Sequence, residues 1–598
     1  MKKIISCFLV LILLSVSVMA SEEREWENLT RIENLLTHCD ELGINTCYEE
    51  VNYNILNRFV RYYSEDEENG VSQERLDYNN ECLTNMYRSV KQRLEGYLDG
   101  TQKPLSRPTG YKTGDYNISD TSLVNSEGKP FFSNGYGHFA PVRNDIKNLN
   151  GFGAYNIQIE EGMRSYVEQA DGIPYWKYSL NKDMDAVLEI DNSDGYNSGK
   201  SLKITNSTPY TSGVYMQIYQ DVFVEPDTEY EYGVWVKGKN VNGVWLSATG
   251  WDNRKTISAD GEWIKKSFKF KTTADAYSTT VRLVCERLTD NLQLDGFYMK
   301  KVGTDENVIL NGDFEEECDS FFEVYPCNSS SKVLVRNLKE AEKNNIAVSL
   351  LLSPHYFPDF IYDLYPEIKG GYGLMRFNVD HPVVKKVISE YTKTLMSVID
   401  GSKSVVGICL TNEPTFSTVR NTAYFNGGFR EYLEKRYGTI NNLNGKYKAS
   451  YKSFDDIVIP NSYRKQPIFY DWMNYNEEFF SKWHEWFYDV VKQCNPDMPV
   501  YSKMMAQMTS NSSAVMERGV DYTLFADWAD VMCFDGGAYI YDDTKRIEHL
   551  LVQDMMNSVT DKPLYNSENH LIPDGDNTYD ERHARHIYNQ LWQGAIHG

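Results

Sequence analysis

The feature that most constrains this chain is the alternation of short apolar runs with segments of helical periodicity. Apolar runs at 346–352, 405–410 and 530–534 have the length of buried strands. Segments with apolar residues at helical spacing, such as 335–344 and 383–398, stand between such runs. Strands that alternate with helices pair in parallel, because a helix must carry the chain back to the starting edge of the sheet. The sequence therefore predicts an α/β fold built on a parallel sheet.

The count of these strands predicts the architecture. A seven-strand open sheet bent into a barrel would leave two unpaired edges, and the helix predicted at 584–595 ends the sequence just before Gly598. We therefore predict a (β/α)8 TIM barrel whose eighth strand is missing from this chain, and we expect the natural protein to continue beyond Gly598. The predicted strands are 130–135, 153–159, 346–352, 405–410, 499–503, 530–534 and 563–566.

An all-β module interrupts the barrel after its second strand. From about 175 to 302 apolar and polar residues alternate, as in Tyr230–Val236, and turn signals such as Asp194-Gly195 separate the runs. This pattern predicts a jelly roll or sandwich, which a barrel tolerates within a βα-loop. The module is either carbohydrate-binding or a purely structural insert. Its tryptophans suit both alternatives: Trp235, Trp245, Trp251 and Trp263.

The N-terminus predicts export. The basic segment Met1-Lys2-Lys3 precedes an apolar stretch at 4–19, and the small residue Ala20 follows that stretch. This is the layout of a cleavable signal peptide. We therefore expect a secreted or periplasmic protein, with no membrane span after cleavage. The predicted organisation is a signal peptide at 1–20, a helical region and linker at 21–110, the first part of the barrel at 111–165, the inserted sandwich at 166–325 and the remaining catalytic barrel at 326–598.

Composition and motifs narrow the possible functions. The 598 residues carry a net charge of −24, and such an acidic surface repels nucleic acid phosphates, so no nucleic acid partner is expected. Flat aromatic side chains, including 44 tyrosines, suit stacking on sugar rings. The chain has no Walker loop, dinucleotide fingerprint, H-E-x-x-H or G-x-S-x-G motif and no C-x-x-C pair. We therefore predict no metal and no cofactor; the oligomeric state stays open.

Two acids follow barrel strands directly. Glu413 comes after strand four and Glu568 after strand seven. Residues just beyond the carboxyl ends of barrel strands face the active site, so both carboxylates are expected in one cleft. Retaining glycosidases use such a pair, one to protonate the leaving oxygen and one to attack the anomeric carbon. We predict Glu413 as acid/base and Glu568 as nucleophile, with Asp535 after strand six as the alternative nucleophile.

Two motifs carry a resemblance to known enzymes. Asn412-Glu413-Pro414 after strand four, with a second glutamate after strand seven, resembles the clan A glycoside hydrolases. Residues 353–358 (Ser-Pro-His-Tyr-Phe-Pro) followed by Tyr365-Pro366-Glu367 resemble the family 42 β-galactosidases. The resemblance implies a retaining, β-galactosidase-like enzyme that acts on an oligo- or polysaccharide by double displacement.

Further residues are candidates for substrate binding. The resemblance implies that Asn412 binds a hydroxyl beside the reacting carbon, that Arg376 binds a substrate hydroxyl, and that Tyr539 or Tyr541 hydrogen-bonds the nucleophile. His355 and His570 lie at strand ends, where they are expected to contact substrate, and His138 after strand one is a weaker candidate.

Two alternatives compete with this prediction. One is a non-catalytic carbohydrate-binding protein on a degenerate barrel. The other is an enzyme of the same clan with a different specificity, such as an agarase- or β-mannosidase-like activity. The Asn412-Glu413 pair favours an enzyme, because a binding-only barrel has no need of it.

Overall fold

A computed structural model describes most of the chain. The predicted signal peptide at 1–20 and Trp251 lie outside the described residues. The described residues are 24–105, 111–119, 122–170, 172–197, 199–250, 253–287, 289–317, 320–461, 466–506, 515–573, 575 and 580–597.

Seven parallel strands curve into a nearly closed barrel, in the same order in space as in sequence. This arrangement confirms the predicted α/β barrel. The strands are β1 (Gly135–Tyr136), β2 (Asn156–Glu160), β3 (Ala347–Leu351), β4 (Val405–Asn412), β5 (Val500–Met505), β6 (Met532–Gly537) and β7 (Leu564–His570).

The first strand is shorter than predicted. The prediction placed it at 130–135, whereas only Gly135–Tyr136 pairs with β2. The residues before it pair elsewhere: Pro130 bridges Val124, and the amide of Phe131 donates to Leu123. A small hairpin formed by Asn117–Ile118 and Leu123–Val124 therefore takes the hydrogen bonds that a longer β1 would need.

The barrel strands are apolar because helices cover their outer side. All five residues of β3 are buried, and six of the eight residues of β4 are buried. Parallel sheets covered in this way have near-continuous hydrophobic strands. The longest covering helix, Pro467–Cys494, buries Trp472 and Trp483 against this core.

The helices of the barrel begin with clear capping signals. Asn328 forms a capping box with Ser331 at the start of the first long helix. The helices are Ala140–Asn144, Ile146–Leu149, Ser329–Lys343, Asp359–Leu364, Pro382–Val398, Thr422–Tyr437, Ile440–Tyr447, Pro467–Cys494, Tyr522–Trp528, Asp543–Val559 and Glu581–His597. Two short ribbons accompany them, Val167–Gln169 with Phe322–Val324 and Lys369–Tyr372 with Met375–Phe377.

The insertion between β2 and β3 is a sandwich of two five-stranded antiparallel sheets. Alternate residues of the strand Met216–Phe223 are buried, as the period-two pattern predicts. One sheet contains Ala186–Asp191, Ser201–Asn206, Glu229–Lys239, Ile264–Lys271 and Thr289–Lys301. The other contains Lys177–Leu180, Met216–Phe223, Val244–Thr249, Asn253–Ile257 and Ser278–Cys285.

The predicted N-terminal helical region is also present. Helices Thr30–Glu41, Cys47–Glu68 and Gln73–Leu98 share a small core of their own. Arg58 joins them to the barrel, because its guanidinium donates to both oxygens of Asp145 at 2.7 Å. Within the described part of the chain, none of the helices combines the length and apolar character needed to cross a membrane.

A buried tyrosine hydroxyl ties together the ends of β2 and β3. The Tyr391 hydroxyl lies 2.7 Å from the Glu161 carbonyl and 3.1 Å from that of Leu352. Tyr391→Phe should lower the free energy of unfolding by about 1–3 kcal/mol, because two buried carbonyls lose their hydrogen-bond donor. We expect a lower melting temperature in differential scanning calorimetry. The exposed control Tyr470→Phe should melt like the wild type, and equal melting of both variants would contradict this role.

Candidate active site

Three acidic side chains meet at the carboxyl end of the barrel. Glu413 follows β4 directly, and its amide donates to the carbonyl of Lys503 in β5 at 3.0 Å. Asp535 in β6 pairs in register with Glu568 in β7. The Asp535 carboxyl is hydrogen-bonded to Glu413 and also feels the charge of Glu568. The structure therefore brings both predicted catalytic glutamates, and the alternative nucleophile, into one cluster.

Two residues at this end of the barrel have left-handed backbones without being glycine. Ser353 after β3 and Glu413 after β4 both have φ of 42°. Such a conformation costs about 1–3 kcal/mol and persists only where the surroundings enforce it. Ser353 also donates to the Glu160 carboxylate at 2.5 Å. The strand ends are thus held in specific conformations where the acids converge.

Glu568 is surrounded by positive and hydrogen-bonding groups. Its Oε2 lies 2.5 Å from the Nζ of Lys503, and its Oε1 lies 3.0 Å from the Nε2 of His570. The Nδ1 of His138 is 3.7 Å from Oε2. Burial alone would raise the pKa of Glu568, but the His570 hydrogen bond and the Lys503 charge outweigh burial and lower the pKa to about 2. Glu568 is therefore ionised at neutral pH.

Asp535 has the opposite character. Burial, the hydrogen bond to Glu413 and the charges of Glu568 and Glu413 together raise its pKa to about 8. Asp535 therefore holds a proton at neutral pH, in its hydrogen bond with Glu413 and beside the ionised Glu568. Acid/base chemistry at a glycosidic bond requires this division of two carboxyl groups into one charged and one protonated.

Polar atoms without a protein partner point to a place for substrate. Within the described residues, the Oδ1 of Asn412 and the Nδ1 of His355 are buried and have no hydrogen bond. Buried polar groups are rarely left unpaired, so such atoms suit a ligand that supplies the missing bonds. Burial lowers the pKa of His355, which therefore stays neutral near pH 7.

A cavity of about 190 Å³ opens beside Glu413. It is lined by Glu413, Asp535, Tyr539 and His570, among others. The Tyr539 ring lies 6.2 Å from that of His570, measured between centroids. Tyr539 and His570 therefore lie in the cleft with the acids.

Two predicted site residues lie elsewhere. Arg376 is exposed on the Lys369–Tyr372/Met375–Phe377 ribbon, where its charge acts on Tyr362. Tyr541 is 58% exposed, and its hydroxyl lies 3.4 Å from the Nε2 of His583. Tyr541 thus contacts the helix Glu581–His597, in place of the predicted hydrogen bond to the nucleophile.

Lys503 is the residue that sequence reasoning missed. Its side chain is fully buried, and it forms the shortest described contact to Glu568. A signal was present, because a lysine at the carboxyl end of an otherwise apolar strand is unusual. Glu160 was missed too, although its carboxylate lies 3.9 Å from the Nε2 of His138.

Comparisons with known proteins agree with this geometry. Residues 329–571 match the family model described as β-galactosidase of glycoside hydrolase family 42. The apo exo-carrageenase of family 42 from Bacteroides ovatus is 15% identical with a TM-score of 0.57; the match covers 96% of this chain and 63% of that one. The β-galactosidase from Rahnella sp. R3 is 18% identical with a TM-score of 0.36, over 44% and 41% of the two chains. No curated protein matches the chain.

The fold and the acid cluster resemble those of the clan A glycoside hydrolases. The family match confirms the resemblance to family 42 that residues 353–358 and Tyr365-Pro366-Glu367 predict. The matched part of the chain, residues 329–571, contains Glu413, Asp535 and Glu568. The whole chain spans 63% of the length of the B. ovatus protein.

The titration of Asp535 predicts a pH-dependent stability. Its pKa is about 8 in the folded protein against 3.8 ordinarily, so the folded state binds this proton more tightly than the unfolded state. Its contribution to stability is therefore complete below about pH 4 and is lost as pH rises through about 8. Asp535→Asn has no such proton to lose. Relative to the wild type, its melting temperature should rise between about pH 5 and pH 8.5.

The exposed acid Asp497 provides the matched control. Asp497→Asn should follow the wild type at every pH. A constant difference between Asp535→Asn and the wild type across this range would show that Asp535 does not titrate there.

Proposed function

We propose that this protein is a retaining β-glycosidase in which Glu568 is the nucleophile and Glu413 the acid/base. The observation that carries the proposal is the unequal environment of the two acids. Glu568 is ion-paired with Lys503 and ionised, whereas Glu413 shares a hydrogen bond with the protonated Asp535. A double displacement needs one carboxylate to attack and one proton-bearing carboxyl beside the leaving oxygen.

The reaction follows from these two charge states. In the first step a Glu568 oxygen forms a bond to the anomeric carbon, the glycosidic C–O bond breaks, and Glu413 passes the proton of its hydrogen bond with Asp535 to the leaving oxygen. In the second step Glu413 takes a proton from water and returns it to that hydrogen bond, the water oxygen attacks the same carbon, and the ester to Glu568 breaks. Asn412, with its unpaired Oδ1, binds a hydroxyl next to the reacting carbon.

Aromatic side chains at the mouth of the cleft suit a sugar substrate. Phe139 is 53% exposed and stacks on His138 with centroids 4.9 Å apart, and Tyr356 is 43% exposed beside His355 at 4.2 Å. Each aromatic ring therefore extends a partly buried histidine toward solvent. We infer that they stack on sugar rings that flank the reacting residue.

We infer a β-galactoside within a larger glycan as the substrate. The family description and the exo-carrageenase from B. ovatus support this inference. An agarase- or β-mannosidase-like specificity is the alternative within the clan, and a panel of aryl β-glycosides and red algal galactans distinguishes them. We also propose that the basic and apolar N-terminal stretch is a signal peptide, which would export the enzyme to the periplasm or out of the cell.

Removal of each glutamate tests the assignment. Glu568→Ala should abolish turnover of an aryl β-galactoside, and added azide should restore it with an α-glycosyl azide as product, because azide occupies the space of the missing carboxylate. Glu413→Ala should lose at least about 100-fold in kcat for substrates with poor leaving groups. Azide should then give the β-glycosyl azide.

The stereochemistry of these products decides the mechanism. Proton NMR of the first-formed sugar should show retention at the anomeric carbon. Inversion, or undiminished activity of Glu568→Ala, would contradict the assigned mechanism. If Asp535→Asn loses activity and azide restores it, the nucleophile would be Asp535 in place of Glu568.

We also propose that the sandwich binds glycan. A groove of about 730 Å³ lies on its sheet surface, lined by Trp235, Tyr298, Glu231 and Lys265 among others. The Trp235 ring stacks on Tyr196 at 3.6 Å, and the Tyr298 hydroxyl donates to Glu231 at 2.5 Å. An ordered aromatic surface with charged hydrogen-bonding groups at its edge suits a polyol.

Affinity electrophoresis in gels that contain agarose or carrageenan tests this second site. In the background of Glu413→Gln, which prevents hydrolysis, Trp235→Ala should migrate faster than its parent. Trp592→Ala, at an exposed tryptophan of the barrel helix Glu581–His597, is the matched control and should remain retarded. Equal retardation of all three proteins would restrict the sandwich to a structural role.

A further inference from the structure

A fully buried ammonium group lies inside the barrel beneath the acid cluster. The Lys503 side chain has 0% exposure, and its Nζ has two described acceptors, Glu568 Oε2 at 2.5 Å and Gln158 Oε1 at 3.4 Å. Burying an ammonium costs several kcal/mol, which an ion pair of this kind offsets only in part. An apolar side chain would serve the fold as well, so the position calls for a functional reason.

The groups around Lys503 come from several strands. Burial alone would lower its pKa, but the charge of Glu568 outweighs burial and raises it. Its ammonium is therefore charged throughout the pH range of the enzyme. The titratable or charged groups that face the Lys503–Glu568 pair come from all of the neighbouring strands. They are His138 after β1, Glu160 on β2, His355 after β3, Cys409 and Glu413 on and after β4, Cys533 and Asp535 on β6, and His570 on β7.

Lys503 and His570 together hold both oxygens of Glu568. Lys503 binds Oε2 and His570 binds Oε1, so the carboxylate cannot rotate without breaking one contact. The remaining side chains of the cluster, Asp535 and Glu413, are acidic and favour a proton on any neighbouring carboxylate. The cationic neighbour of Glu568 decides which of the three acids stays without a proton.

Resting on the proposed function, we propose that Lys503 is the positioning residue of the nucleophile: its buried ammonium orients the Glu568 carboxylate and keeps the negative charge on Glu568, so that the proton stays with Glu413 and Asp535. Its role continues through the cycle. When the glycosyl ester forms, Glu568 becomes neutral, and when water breaks the ester the returning carboxylate charge forms directly beside the ammonium. Lys503 therefore favours departure of Glu568 in the second step.

The test is the pH profile of Lys503 variants on the aryl β-glycoside that the wild type hydrolyses best. Lys503→Met should lose about 100-fold in kcat, with KM within about threefold, because an electrostatic contact to the reacting group is lost. The acidic limb of kcat/KM should move up by at least about one pH unit, because Glu568 then holds a proton more tightly. Lys503→Arg keeps the charge and should keep the acidic limb near that of the wild type, with a lower kcat.

Lys562 offers a matched control in the same barrel. Lys562 precedes β7, and its Nζ donates to the carbonyls of Ala526 and Ala529 at 2.6 Å. Lys562→Met should lower the melting temperature and leave the pH profile unchanged. If Lys503→Met does not fold, Lys503→Arg provides the test. An acidic limb of kcat/KM that moves up in Lys503→Arg, although the positive charge is kept, would overturn the proposal.

The outcomes separate this inference from the proposed function. An inactive, azide-rescued Glu568→Ala with a wild-type acidic limb in Lys503→Met would overturn the role of Lys503 and leave the nucleophile in place. A fully active Glu568→Ala would overturn both. A shifted limb in Lys503→Met but not in Lys562→Met is the result that supports the inference.

Discussion

The ion pair between Lys503 and Glu568 is the interaction on which the chemistry of this protein depends. Three carboxyl groups converge where β4, β6 and β7 end, and like charges so close cannot all be ionised. The buried ammonium of Lys503 on β5 determines which carboxyl group is ionised, because it stabilises the charged form of Glu568. Asp535 then holds a proton in its hydrogen bond with Glu413. One buried cation thus separates the two protonation states that the proposed mechanism needs.

The fold provides this convergence by a simple rule. Parallel strands all end on one side of the barrel, so residues distant in sequence reach a common cleft. The sandwich enters between β2 and β3 without disturbing their pairing, since Ala347 still aligns with Asn156. The strained backbones of Ser353 and Glu413 show that the strand ends are held against their local preference.

Sequence alone predicted much of this arrangement. The apolar runs located the barrel strands, and the position of Glu413 and Glu568 after them placed both acids in one cleft. The role of Lys503 could not be predicted, because the register of a strand with its neighbours determines which of its side chains point into the barrel. Tyr541 contacts His583, a partner that no local pattern reveals. The early strand at 130–135 was mislocated because a hairpin at 117–124 competes for its hydrogen bonds.

The most direct test of the account is covalent trapping with an activated 2-deoxy-2-fluoro-β-galactoside. The fluorine slows both steps, and the good leaving group speeds the first, so the glycosyl-enzyme accumulates. Mass spectrometry of the peptides should find the sugar on Glu568, with Glu413 unmodified. A label on Asp535, or rapid product formation with inverted configuration and no label, would contradict the account.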